Sequence, residues 1–426
     1  MCRPLLTALL LAAVLGGLPA AAHAARGPCV VGTSGPSCAV WTGAVTFVGD
    51  GDTIYVDVFG DGTTASHRIR ITGIQAMEQS VYSATRRQGD CHALEATQRL
   101  ERLIRRGRSI VRLAAEDPES VSRNRFMRTV AVKIGGRWVD VGAAMLAEGR
   151  ALWWPSWVES AANRSYSVHA QAAIAAQRGL FDPDACAPGP SAASPLKLWV
   201  NWDADGDDTA NPSGEWVKIR NLDPVNAVGL GGWHLRDSGL RRFTFPAHAA
   251  IPPGSTVTVD VGSEGDGETV FSWGLHDPVF ENATHDEDAM GDGAYLFDPL
   301  GNVRAAMLYP CRQPCSDPLG GAVGVGADPK GRREFVAVHN LGAGPVDLDG
   351  YVLKSPPQSY HFGAGSVLGA GEAMRIQVTG RPEEGALPMR YWGLAKPILR
   401  DAGDIVRLAT YTDITLACTA WGDKSC

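Results

Sequence analysis

The second half of the chain repeats itself. Glu215 opens EWVKIRNL and Glu334 opens EFVAVHNL 119 positions later; LGGWHL around Trp233 answers LDGYVL around Tyr351 at 118; the WGL tripeptides at Trp273 and Trp392 stand 119 apart; and IPPG at Gly254 answers LGAG at Gly371 at 117. Landmarks that keep order and spacing exclude one large core for this half. A period of this length is too long for a solenoid unit and suits two tandem domains. Each copy is built of short alternating runs with frequent turn residues and little helical periodicity, the pattern of an all-β sandwich of immunoglobulin-like size.

The 426 residues agree with several domains rather than one. With 45% hydrophobic and 20% charged residues, long disorder, collagen-like repeats and coiled coil are excluded as the main architecture. The net charge of −7 is unevenly spread. Residues 25–190 carry 19 Lys and Arg against 16 Asp and Glu, and residues 191–426 carry 19 against 30.

Residues 1–24 read as a secretory signal peptide: Arg3 supplies the positive start, an apolar run extends from Leu5 to Leu18, and Ala22 and Ala24 flank His23 at a cleavage site. No later stretch is apolar for long enough to span a membrane, so the expectation is a secreted, extracellular chain. Beyond Cys2 there are eight cysteines, at 29, 38, 91, 186, 311, 315, 418 and 426. An even number suits disulfides in an oxidising compartment, with pairing left open. A zinc site at Cys311 and Cys315 lacks a second ligand pair at the usual spacing.

The front half mixes strands and helices. Residues 44–48, 53–59 and 67–74 are β-rich, with Ile54, Val56 and Val58 at the period of two of a half-buried strand. Residues 93–106 predict an amphipathic helix with Leu94, Leu100, Leu103 and Ile104 on one face, ending at Gly107. Strands follow at 109–114 and 129–134, and helices at 139–149 and 160–178. PDACAPGPSAASP is small, polar and Pro-rich and reads as a linker, taken as residues 184–195.

Three front segments hold charges that strand geometry would not select for stability. GDGDT, residues 49–53, is a tight turn that sets Asp50 and Asp52 beside a strand start. That is more often an ordinary turn than a cation site, though carboxylates so placed suit a hard cation. In HRIRITGIQAMEQ, residues 67–79, alternation sends Ile69 and Ile71 to one face and Arg68, Arg70 and Thr72 to the other, with Glu78 past the strand end. In SRNRFMRTVAV, residues 122–132, an Arg-rich loop leads into a strand and Arg128 is the last charge before the apolar run.

In this order and at these spacings the segments resemble the staphylococcal nuclease (thermonuclease) family. Its pattern has an aspartate in DGDT, an arginine and a glutamate eight residues apart in a segment like RLIGIDAPE, and an arginine in one like RYGRTLA. The similarity continues through GRWVDVGAAMLAEGRA at 136–151 and HAQAAIAAQRGLF at 169–181, giving a domain at residues 41–183. The resemblance implies an α+β OB-fold barrel and hydrolysis of phosphodiester bonds in DNA or RNA with little sequence preference. It implies catalytic roles for Arg70, Glu78 and Arg128: the glutamate activates water, and the two guanidinium groups clamp phosphate oxygens. It implies a Ca²⁺ cofactor held by Asp52, the residue at position 75 and the Ala76 carbonyl. Arg125 and Phe126 are candidate substrate contacts, and ALWWPSW at 151–157 offers either stacking surfaces or packing against the barrel.

The sequence departs from that pattern at GIQAME, where Gln75 replaces a calcium-binding aspartate and Met77 a proline. A nucleic-acid or surface-binding protein with weakened catalysis is therefore the alternative reading. Within the inferred fold, proximity suggests a Cys91–Cys186 bridge, leaving Cys29 with Cys38, Cys311 with Cys315 and Cys418 with Cys426.

The repeated half resembles lamin tail domains, through GEWVKIRNL, LGGWHLRD, FTFP and IPPGSTVTV in residues 196–310 and REFVAVHNL, LDGYVLKS, YHFG and LGAGEAMRI in residues 320–426. Such modules imply binding or spacing, with the ligand unknown. DADGDD, residues 203–208, lacks the glycine placement of an EF-hand loop, and no HExxH, GxSxG or Walker pattern occurs.

Overall fold

The structure is a computed structural model that describes residues 25–426 apart from 80–88, 190–194, 205–206, 264–266, 283–289, 313–316, 331–332, 364 and 381–388. The expected signal peptide and Cys315 lie outside the described residues.

The front unit contains strands β1 (Ala25–Pro28), β2 (Ser37–Val48), β3 (Thr53–Val58), β4 (His67–Ile71), β5 (Ile74–Gln75), β6 (Ile110–Ala115), β7 (Val121–Ser122), β8 (Arg125–Ile134), β9 (Arg137–Asp140) and β10 (Leu152–Trp153). Five of them close a barrel in the order β2-β3-β4-β8-β6 and back to β2. Every neighbouring pair in the ring is antiparallel except β4 with β8. Ile54, Val56 and Val58 all point inward, as their alternation predicts.

Helix α1 (Ala93–Arg106) covers the barrel with Ala96, Leu100, Leu103 and Ile104. Leu94, expected on the buried face, is exposed because it sits in the first turn, off that stripe. Asp140 caps helix α2 (Val141–Ala147) by accepting from the Ala143 amide at 2.8 Å. It also accepts from Tyr166 Oη at 2.7 Å, which fastens helix α3 (Asn163–Ala175) across α2. The Tyr166 ring lies so close to Gly73 and Gly142 that a Cβ at either would stand 2.4–2.6 Å from it.

The repeat is a repeat of structure. The first copy pairs strands Leu196–Asn201, Trp216–Asn221, Thr256–Asp260 and Val270–Ser272 in one sheet, and Arg242–Thr244, His234–Asp237, Asp292–Phe297 and Val303–Tyr309 in the other. The second copy has the same order, including the parallel last pair of the first sheet, Ala373–Thr379 with Met389–Leu394. The residues shared by EWVKIRNL and EFVAVHNL explain why they recur. Glu215 is buried and accepts from the Val279 and Phe280 amides, and Glu334 does the same for Ile398 and Leu399. Asn221 donates to the carbonyls of Asn226, Ile251 and Pro252, and Asn340 to those of Gly344, Leu368 and Gly369. At each end of the same strand a polar side chain satisfies backbone groups of a crossing loop, which an apolar residue would leave unpaired.

The front unit and the first sandwich share a core. Tyr295, Phe297, Val303 and Leu308 of the sandwich belong to the same buried cluster as the barrel and α3. At roughly 1.5–3 kcal/mol for each large apolar side chain buried, this junction is worth several kcal/mol. The Pro-rich segment is tied down where it leaves the barrel. The Cys186 amide donates to Asn302 Oδ1 at 2.7 Å, Asn302 Nδ2 donates to the Ala187 carbonyl at 3.0 Å, and Arg304 donates to the Pro183 carbonyl at 2.6 Å. Its start is thus an anchored strap rather than the free linker expected, while residues 190–194 lie outside the described ones. The two sandwiches also meet: Trp202 Nε1 donates to the Tyr411 carbonyl at 2.9 Å and Arg220 pairs with Asp349 at 2.5 Å.

Three disulfides are present among the described residues, Cys29–Cys38, Cys91–Cys186 and Cys418–Cys426. No helix among these residues is long and apolar enough to cross a membrane.

Candidate active site

The site forms where the β2–β3 turn, the end of β4 and the start of β8 meet at one rim of the barrel. GDGDT makes the turn: Asp50 Oδ1 accepts from the Asp52 amide at 3.0 Å, and Gly51 passes between Ala76 and Ala96, where a Cβ would stand 2.6 and 2.7 Å from theirs. The close approach delivers Asp52, whose Oδ2 accepts from the Ala76 amide at 2.9 Å and lies 3.3 Å from Arg70 Nη2. Burial, reinforced by the charges of Asp50 and Glu78, holds the Asp52 carboxyl above the ordinary carboxylate range, although Arg70 opposes this.

Arg70 is buried, with its guanidinium 5.0 Å from the centre of the Trp154 ring. It donates to the Ile71 carbonyl and to Gln75 Oε1, both at 2.8 Å. Gln75 Nε2 then donates to the Ala76 carbonyl at 3.1 Å and to Glu78 Oε1 at 3.2 Å. The network fixes the amide's orientation, since the reverse would set its oxygen against two acceptors and its nitrogen against a guanidinium. Glu78 is half-buried, and burial with the nearby Asp50 and Asp90 raises its pKa against the pull of Arg70.

The structure thus brings Asp52, Arg70, Gln75, Ala76 and Glu78 together. It also brings Arg125, whose Nη1 donates to Thr53 Oγ1 at 3.0 Å and stands 3.9 Å from Asp52 Oδ1. It does not bring Arg128. The parallel register pairs Arg70 with Met127, so residues 125 and 127 share the face of Arg70 while Phe126 and Arg128 take the other. There Arg128 is packed 4.8 Å from the Trp41 ring centre and 5.1 Å from that of Phe126, and donates to the carbonyls of Met127, at 2.7 Å, and Pro118. Phe126, expected as a substrate contact, is covered by Arg128 on its face and meets the His67 ring at 5.8 Å. In ALWWPSW, Trp153 is buried in the core, whereas Trp154 and the exposed Trp157 line, with Arg70, a groove of about 620 Å³.

A cation here would meet oxygen donors only: Asp52, the Ala76 carbonyl and Glu78. Among the described residues no group of three His, Cys, Asp or Glu side chains is close enough to hold a metal ion. The Gln75 oxygen is engaged by Arg70 and its N–H points at two of those donors. A hard cation here would have to displace the Gln75 amide from two of these oxygens and would depend on water for most of its shell.

The opposite wall of the site belongs to the first sandwich. A cleft of about 570 Å³ has Glu78 and Asp90 on the barrel side and Arg236, Leu240 and Arg242 on the other. The last three lie on the hairpin of strands His234–Asp237 and Arg242–Thr244. That sandwich has a recognisable family: residues 199–310 match the lamin tail domain. No curated protein matches the chain. The approach of the lamin tail domain to Glu78 is the one component of the site with no signal in the sequence, because the two segments come together only through the packing of whole domains.

Proposed function

We propose that the chain is a secreted nuclease that hydrolyses phosphodiester bonds of DNA and RNA, with its site at Asp52, Arg70, Glu78 and Arg125. The carrying observation is the convergence of Asp52, Arg70, Glu78 and Arg125 at one barrel rim: both arginines stand beside Asp52, and Gln75 ties Arg70 to Glu78, whose pKa burial raises. Strand order β2-β3-β4-β8-β6 supports an OB-fold assignment, and the shared strand order supports reading the second sandwich as another lamin tail domain.

Glu78 takes a proton from the attacking water as its oxygen bonds to phosphorus, and the P–O bond to the leaving sugar oxygen breaks. A base whose pKa is raised toward neutrality is suited to that transfer. Arg70 and Arg125 face the extra negative charge that builds on the phosphoryl oxygens. Arg70 arrives preorganised by Gln75 and the Ile71 carbonyl. Asp52 and the Ala76 carbonyl would be the residues to hold Ca²⁺, which would supply Lewis-acid polarisation of the phosphate.

The test is incubation of the full chain with denatured DNA and with RNA, in Ca²⁺ or EDTA. Glu78→Gln should lower hydrolysis by about a hundredfold or more. Equal turnover in the variant places the base elsewhere. The second reading, a binding protein without turnover, draws on the Gln75 amide occupying both Glu78 and the Ala76 carbonyl; binding with no cleavage of either polymer by the wild-type chain supports it.

A further inference from the structure

We infer that the lamin tail domain supplies part of the nucleic-acid site itself: Arg236 and Arg242 bind backbone phosphates of the strand whose scissile bond lies at Glu78. The inference rests on the proposed nuclease reading and adds a second domain to its substrate site.

Both arginines line the cleft that holds Glu78 and Asp90 on its other side. They sit one on each strand of a hairpin and are registered partners, Arg236 with Arg242, so their side chains leave the same face of the sheet. Arg236 is part-buried and donates to the Gly239 carbonyl, which fixes the guanidinium, yet among the described residues nothing accepts from its Nε. A buried donor left without an acceptor is costly, and an anion in the cleft would satisfy it. Asp237 beside it is the charge that acts most strongly on Arg236, and those of Asp90 and Glu78 across the cleft act on it as well. Arg242 is exposed at the mouth. The fixed Arg236 and the exposed Arg242 offset part of the carboxylates' repulsion of a polyanion and give the backbone a track longer than the single phosphate held at Arg70 and Arg125. The strongly acidic second half of the chain otherwise repels nucleic acid, and the cleft sets Arg236 and Arg242 against Glu78, Asp90 and Asp298, the last of these already paired with Arg304.

The experiment uses the full chain carrying Glu78→Gln as parent, so that substrate survives, and a labelled single-stranded oligonucleotide followed by fluorescence anisotropy over a range of NaCl concentrations. Arg242→Glu should weaken binding about tenfold at low salt. Arg236→Gln should lower the slope of log affinity against log salt by about one, the signature of one lost phosphate contact. Lys424→Gln, outside the lining of the cleft, should bind as the parent does. Arg242 is exposed, so its substitution keeps the test valid even where Arg236→Gln lowers stability, which a thermal melt reports. Parent-like affinity and slope in both arginine variants overturn the inference, as does a parent that fails to bind. Failure of the nuclease reading shows up separately, as absence of hydrolysis by the wild-type chain.

Discussion

Arg125 and Arg128 are three positions apart and do opposite work. Arg125 stands beside Asp52, while Arg128 is held between two aromatic rings and donates to carbonyls of its own neighbourhood. Arg125→Lys should therefore reduce hydrolysis by about a hundredfold, because an ammonium lacks the planar fork that grips phosphate. Arg128→Lys should keep turnover within a few-fold and lower the melting temperature instead. Steady-state kinetics and melts of the two variants decide it, and the reverse pattern would return Arg128 to the active site. Asp52, Arg70 and Glu78 were legible in the sequence because short motifs fix their local geometry. The choice between 125 and 128 was not, because it depends on the register between β4 and β8, two strands distant in sequence. Gln75 was legible as a missing carboxylate but not as the amide that ties Arg70 to Glu78. Gln75→Asp restores a charge beside Asp52 and should tighten apparent Ca²⁺ affinity about tenfold, roughly 1.4 kcal/mol. Coinciding activity curves against Ca²⁺ concentration for the two proteins would remove position 75 from the metal.

At the scale of elements, the repeated strand carries a buried acid that is costly to ionise. Burial pushes Glu215 up to about 8 from its ordinary 4.5, and its Oε1 has no partner among the described residues. A folded-state pKa above the unfolded one means that the folded chain keeps a proton the unfolded chain has released. Stability from this group is therefore present below about 4.5 and lost as pH rises through about 8. Glu215→Gln keeps an oxygen for the Val279 and Phe280 amides and carries no charge. The variant's melting temperature relative to wild type should rise across that window, and a constant difference would mean that Glu215 does not titrate there. The β-sandwich class and the two-fold repeat were readable because alternation and recurring landmarks are local. The pairing of strands into two four-stranded sheets, with a parallel pair in each copy, was not, since it is fixed by contacts between distant segments.

For the whole molecule, the barrel and the lamin tail domain behave as one folding problem. A fragment ending at Ala187 exposes the face covered by Tyr295, Phe297, Val303 and Leu308. It should melt on the order of 10 °C below the full chain or aggregate, as the loss of several kcal/mol of burial dictates. A fragment as stable as the full chain would restore an independent barrel and a true linker. Composition marks the Pro-rich segment as a boundary, and composition does not report that Asn302 and Arg304 hold its first residues in place.

The Cys91–Cys186 bridge sits at this junction. Cys91 follows Asp90 in the lining of the cleft between the two domains, and Gly301, in a turn of the lamin tail domain, packs so close that a Cβ there would lie 3.2 Å from Cys91 Cβ. Oxidation therefore joins the assembly of the cleft to the compartment the chain has reached. With the thiols reduced, the start of α1 and the strap after α3 lose their covalent link, and the strap is held by the hydrogen bonds of Asn302 and Arg304 alone. Under the proposed reading of a secreted nuclease, a site completed only by oxidation would spare the cell that makes the chain. Comparing hydrolysis by the oxidised protein with that of Cys91→Ser/Cys186→Ser tests this: equal rates would leave the bridge a matter of stability alone.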